Sequence, residues 1–279
     1  LGKNINNINN KMLLILLILV FIIYDKYLYP NVKKLPTPLK NKKVALCVSG
    51  QIREGLEECY NTWVKKFDMD NIDVFSCVEG DDNKINRLKT LLNPKKILVV
   101  KKNLNEFDYI NSELSNTSIS MFYKIYKANQ LKTEYEKYNK FKYDVVIRIR
   151  PDLKLLSDIP IHKIFTNNVM YIPYLGPRYV NVFNLLSQNP FGVSDQFSFG
   201  SSEMMDKYSN IYVDIENGNM SSINNFTPEV QLLKYLNKRN INYKQYNQKL
   251  YIYNFHKKMF KKIYQLDKYK KMFKKSFLL

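Results

Sequence analysis

The stretch Tyr143-Asp144-Val145-Val146-Ile147-Arg148-Ile149-Arg150-Pro151-Asp152 decides how the rest of the chain reads. Val145, Val146, Ile147 and Ile149 are β-branched and apolar, the composition of a strand covered on both faces. Alternate strand residues share a face, so Val145, Ile147 and Ile149 are expected in one layer and Arg148 and Arg150 in the other. Asp152 follows just past the strand end, beyond Pro151. Open α/β sheets bind ligands at the carboxyl ends of their strands. Guanidinium forks match phosphate oxygens, and a carboxylate suits Mg2+ or Mn2+, so this segment reads as a grip for a diphosphate with a divalent cation. The competing reading is an internal Arg–Asp network that binds nothing.

Working outward, a helix is expected from about Ser120 to Tyr138, with Met121, Phe122, Ile125, Tyr126, Asn129 and Thr133 along one side. Upstream, Lys43–Val48, Ile72–Val78 and Lys96–Val100 read as strands. Between them lie helical patterns. One places Ile52, Leu56, Tyr60, Trp63, Val64 and Phe67 on one face, and the other spans Lys84–Leu92. Strand, helix, strand, helix, strand begins a doubly wound α/β fold with a parallel sheet. Downstream, Met170–Ile172 and Gln196–Phe199 look like further strands. Ser201/Ser202 caps a helix carrying Met204, Met205, Tyr208 and Tyr212. Thr227-Pro228-Glu229 is a helix start, with a cap residue, Pro at the first position and an acid in the first turn.

The 279 residues carry 44 Lys+Arg against 25 Asp+Glu, a net charge of +19. Such a charge suggests nucleic acid or an anionic membrane. Only six of the basic residues are arginine, in a chain crowded with Asn, Ile and Tyr, so lysine is its default solvated residue and each arginine is informative. Cys47, Cys59 and Cys77 lack C-x-x-C spacing and suggest neither zinc site nor disulfide framework. The two histidines, His162 and His256, exclude a multi-histidine metal centre.

The apolar run Met12–Tyr24, extended through Tyr29, reads as an uncleaved membrane anchor over 12–29, since no A-x-A cleavage site follows. Residues 1–11 form a tail before it and 30–43 a lysine- and proline-rich stalk after it. The soluble domain is expected over 44–255. Two signals disagree about its side of the membrane. The lysines after the span favour a cytosolic domain, and the sequons at Asn116, Asn219 and Asn225 favour a lumenal one. Residues 256–279 hold nine lysines and one acid with apolar residues at helical spacing, which suits a basic amphipathic helix on an anionic membrane and equally a helix packed on the domain.

Two more segments bear chemistry. Ser49-Gly50-Gln51-Ile52-Arg53 joins the first strand to the first helix, where backbone N–H groups and Arg53 attract anions. Asp195 follows the aromatic- and proline-rich stretch 174–194, long enough for a substrate lid, and is placed to orient or deprotonate an acceptor hydroxyl. Glu229 is the second choice for that role, against the plainer reading of a helix-start acid.

Together, C-V-S-G-Q-I-R at the first strand, Y-D-V-V-I-R-I-R-P-D-L in mid-chain, D-Q-F-S-F-G and a P-E-x-x-L helix resemble a family of glycosyltransferases of giant DNA viruses and bacterial surface-polysaccharide clusters. The likeness runs from about Val44 to Leu236. It implies a GT-A-like, Rossmann-type fold with a mixed, mostly parallel sheet flanked by helices. It also implies a nucleotide-sugar donor and transfer to a glycan or glycoprotein hydroxyl; the few arginines, clustered at strand ends, point to such a small anionic donor and not to nucleic acid. On this sequence it suggests that Ser49, Gly50, Gln51 and Arg53 line the nucleotide pocket, while Arg148 and Arg150 are placed on the diphosphate by their strand-end position. Asp152 takes the place of the metal-binding acid and Asp195 lies near the acceptor. The usual signature has two acids, and Arg150 replaces the first, which puts metal dependence in question. His256 is a further candidate ligand. The other classes weighed are a different nucleotide-donor transferase, such as a sulfotransferase, and a non-enzymatic basic protein binding membrane or RNA.

Overall fold

Apolar runs that alternate between two cores build the central sheet of this protein. The computed structural model describes residues 42–101, 104–110, 112, 114–161, 169–173, 192–220, 227–246 and 250–252. The anchor 12–29, nearly all of the stalk, the tail 256–279, His162, His256, Asn225 and most of the expected lid (174–191) lie outside them. Among the described residues no helix is long and apolar enough to cross a membrane.

Strand β1 (Val44–Gln51) pairs in parallel with β2 (Ile72–Glu79) on one side and β4 (Val145–Ile149) on the other, and β3 (Lys96–Val99) extends the parallel set beyond β2. Beyond β4 come β7 (Phe197–Gly200), antiparallel to it, then β6 (Met170–Pro173) and β8 (Tyr243–Tyr246). The seven-stranded order is β3-β2-β1-β4-β7-β6-β8, with β7 the one reversed strand. The expected mixed, mostly parallel sheet of the α/β class is therefore present. Short β5 (Leu153–Leu155) pairs separately with β9 (Leu250–Ile252).

Side chains on β1 show why the sheet needs two covers. Ala45 and Cys47 enter one core, and Val44, Leu46 and Val48 the other. The second core is closed by α1 (Leu56–Val64) and α2 (Asp82–Leu92). The first is closed by α3 (Asn116–Tyr138), α4 (Ser202–Ser209), α5 (Ile211–Glu216) and α6 (Pro228–Lys238). On β4, Val145, Ile147 and Ile149 join the core under α1 and α2, and Val146 faces the other, so Arg148 and Arg150 point to the α3 side as expected. The single tryptophan, Trp63, is fully buried and donates Nε1–H to the Leu153 carbonyl at 2.7 Å. Leu155 N–H donates to Thr62 Oγ1 at 2.9 Å, so α1 fixes the chain directly after Asp152.

Several details differ from the sequence reading. Helix α3 starts four residues early because Ser115 caps it, its Oγ accepting from Ser118 N–H at 3.3 Å. Val64, expected on the buried face of α1, is 46% exposed because that helix ends there. The helix after Ser201 breaks at Asn210, so Tyr212 belongs to α5. The three cysteines are free and buried, and burial pushes each thiol up to about 12.

Candidate functional site

The carboxyl ends of β1, β2 and β4, the start of β7 and the first turns of α3 and α6 enclose a cavity of about 440 Å³. That volume suits a small ligand. Ser49, Gly50, Gln51, Arg53, Arg148, Arg150 and Asp195, all singled out from the sequence, line it. Gly50 has φ +133°, a conformation L side chains rarely adopt, so the turn out of β1 requires glycine.

The arginines differ in how they are held. Arg148, 2% exposed, donates Nε–H to Ser49 Oγ at 3.2 Å and Nη1–H to the Asp195 carbonyl, while its Nη2 has no partner. Burial draws its pKa below the ordinary arginine value, against the opposing influence of Tyr208 and Asp195. Arg150 makes a two-pronged contact with Asp152, Nε to Oδ1 at 3.0 Å and Nη2 to Oδ2 at 2.9 Å. Arg53 approaches from the β1 turn and donates Nη1–H to the same Oδ2 at 2.9 Å. The Asp152 side chain is 1% exposed, so its carboxylate is spent on bracing two guanidinium groups.

Beside Arg148, Asp195 is 4% exposed and its Oδ1 lacks a partner. Glu229 lies against the same loop: Val193 N–H donates to the Glu229 carbonyl at 3.1 Å. A Cβ on Gly192 would come within 2.3 Å of the Glu229 backbone carbon, so only glycine permits this approach. Burial and then the charge of Asp195 raise the Glu229 carboxyl above its ordinary value, with Arg150 acting in the other direction. The fold thus brings together two acids separated by 34 positions in sequence.

The sequence reading missed one wall. Thr117, Ser118, Ser120, Met121 and Lys124 of α3 line the cavity beside Glu79 at the end of β2. Lys124 is buried and donates to Glu79 Oε2 at 2.8 Å and Ser120 Oγ at 2.7 Å. Its signal was the four-residue spacing of Ser120 and Lys124, which places them together on a helix face.

The donor set around Asp152 does not fit a divalent cation as arranged. Mg2+ is ordinarily held by one or two carboxylates together with substrate phosphates and water, so Asp152 would have to turn away from its guanidinium partners to take part. Both Asp152 oxygens face guanidinium groups, and Glu79 is paired with Lys124. Among the described residues no three His, Cys, Asp or Glu side chains converge to hold an ion. No family model matches this sequence, and no curated protein matches it either.

Proposed function

We propose that the protein is a membrane-anchored glycosyltransferase of GT-A type, moving a sugar from a nucleotide-sugar donor to a hydroxyl of a glycan or glycoprotein. One observation carries this reading: three guanidinium groups and the Asp195 carboxyl line one cavity at the strand carboxyl ends, with Glu229 close to Asp195. The mixed, mostly parallel sheet also agrees with the resemblance. The segment 12–29, with its apolar run Met12–Tyr24, supplies the anchor, and 256–279 a second membrane contact.

In this reaction the acceptor oxygen forms a bond to the anomeric carbon. The bond from that carbon to the diphosphate oxygen breaks, and its electron pair leaves with the nucleoside diphosphate. Arg148, Arg150 and Arg53 stabilise the charge that develops on the leaving group. Asp195 receives the acceptor proton, and Glu229, which keeps its own proton above the ordinary carboxylate range, shares the exchange. Ser49, Gly50 and Gln51 flank the nucleotide.

The test is a thermal-shift and hydrolysis screen of UDP-, GDP- and CMP-sugars on the full chain in detergent. Stabilisation by at least one of them, together with its slow hydrolysis, is expected. No stabilisation by any would overturn the proposal, as would full transfer activity in Asp195→Ala/Glu229→Gln.

A further inference from the structure

The arrangement of Asp152 bears on how the diphosphate is held, and the inference rests on the glycosyltransferase reading above. A nucleoside diphosphate leaving group needs about two positive charges close to its bridging oxygens, which a divalent cation ordinarily supplies. Arg53, Arg148 and Arg150 bring three positive charges to this cavity, against the carboxylates of Asp152, braced between Arg53 and Arg150, and of Asp195, beside Arg148. These groups leave a net positive charge in the cavity, of the sign that such a cation supplies. Lys124 and Glu79 neutralise each other, and Asp195 meets Arg148 through its backbone carbonyl.

We infer that this protein holds its donor's diphosphate without a divalent cation, on a guanidinium cluster that Asp152 positions. Four features support the assignment. Asp152 is almost wholly buried and engages two arginines from different turns, so it orders their side chains before a ligand arrives. Arg148 is nine-tenths buried and more, lines the cavity and keeps Nη2 without a partner, which an anionic oxygen would satisfy. The first turn of the 23-residue helix α3 faces the same space through Thr117 and Ser118, adding the favourable end of a helix dipole. Finally, pulling Asp152 onto a metal would break three charge-assisted hydrogen bonds and leave Arg150 half-buried without that carboxylate. Asp152 is therefore a positioning residue.

Calorimetric titration of the full chain in detergent with UDP, GDP, dTDP and ADP, each with EDTA or with Mn2+, tests this. At least one nucleotide is expected to bind with affinities within about threefold under the two conditions. Arg150→Ala, and independently the half-exposed Arg53→Ala, should each weaken metal-free binding about tenfold or more. Circular dichroism checks that both variants are folded. Binding that needs Mn2+ and is lost in Asp152→Asn would overturn the inference and leave the glycosyltransferase reading standing. Metal-free binding indifferent to both arginine substitutions would overturn the cluster. If no nucleoside diphosphate binds under either condition, the inference fails together with the diphosphate donor on which it rests.

Discussion

The two ends of α3 lie beside buried charge that is held in opposite ways. Its first turns carry Ser118, Ser120 and Lys124 to the cavity, where Arg148 and Asp195 each keep one polar atom without a partner. Two turns further on, Lys132 is fully buried, and its ammonium donates to Ser202 Oγ at 2.6 Å, Asp206 Oδ1 at 2.7 Å and Glu136 Oε2 at 3.1 Å. Glu136 also accepts from Ser202 Oγ, Tyr143 N–H and Lys142. Asp206 accepts from Asn129 and Thr133 besides. Every charged group in this second cluster is matched, and it clamps α3 to α4. Buried charge that is fully matched holds the fold, and buried charge left partly unmatched is where a ligand has something to satisfy.

The largest effect should come from breaking the matched cluster. Lys132→Met leaves Glu136 and Asp206 without their central cation and is expected to cost about 3–5 kcal/mol in urea unfolding. Nucleotide affinity per folded molecule should stay within about twofold. Unchanged stability would mean that the cluster is not the clamp. The same cluster sets a pH dependence. Burial raises the Glu136 carboxyl, but the hydrogen bonds from Ser202 and Tyr143 and the charge of Lys132 outweigh it and hold it below the ordinary range. Asp206 is held low in the same sense, its burial outweighed by Lys132 and the hydrogen bonds from Lys132, Asn129 and Thr133. A depressed native pKa stabilises above the unfolded value of about 4 and loses that contribution as pH falls through the native one. Urea midpoints measured from neutral to acidic pH should therefore drop below that value, and drop less steeply in Lys132→Met.

Arg148→Met probes the unmatched side. Turnover is expected to fall about a hundredfold, because the donor proposed for the leaving group is lost. Stability should change by no more than about 1 kcal/mol, because an incompletely paired buried guanidinium is replaced by an apolar chain of similar length. A large stability loss with unchanged turnover would reverse the assignment of the two clusters.

A smaller effect is expected from Gly192→Ala. The added methyl has no room beside the Glu229 backbone and should cost about 1–3 kcal/mol. It also moves Glu229 away from Asp195 and lets water in, which lowers the raised Glu229 carboxyl. The limb of the pH–rate profile that reports Glu229 should then shift to lower pH. A profile that does not move would remove Glu229 from the proton exchange.

The sequence made the open cluster more legible than the closed one, for a physical reason. Arginine is scarce in this chain, so Arg148 and Arg150 at alternate strand positions stood out, and strand periodicity placed them on one face. Lysine is so frequent that Lys124 and Lys132 read as solvated residues, though they share a stripe with Ser120, Ala128 and Glu136 at four-residue spacing. Strand direction was likewise hidden: Phe197–Gly200 shows where a strand lies, but reversal of β7 against β4 depends on connections far away in sequence. The pairing of β5 with β9 joins Leu153 to Ile252, and short-range patterns carry no trace of it. Asp152 was legible as a site residue, and an Arg–Asp network within its segment was one of the readings weighed, while Arg53 became evident as a partner only when the β1 turn was placed over the end of β4.

The smallest effect tests whether the start of α3 belongs to the proposed anion site or only to the helix. Ser115 is exposed, lies outside the cavity lining, and caps α3 through Ser118 N–H. Ser115→Ala removes that cap and should cost about 1 kcal/mol of stability in urea unfolding. If the first turn of α3 helps to hold a diphosphate, fraying it also disorders Thr117 and Ser118, and nucleotide affinity should fall about threefold to fivefold in low salt. Ser115→Asp restores an acceptor for the cap and should recover the stability. Its negative charge near the anion site should keep affinity low, and raising the salt concentration should narrow that deficit. Equal affinity in all three proteins would confine the anion site to the arginines and leave α3 a purely structural part at both of its ends.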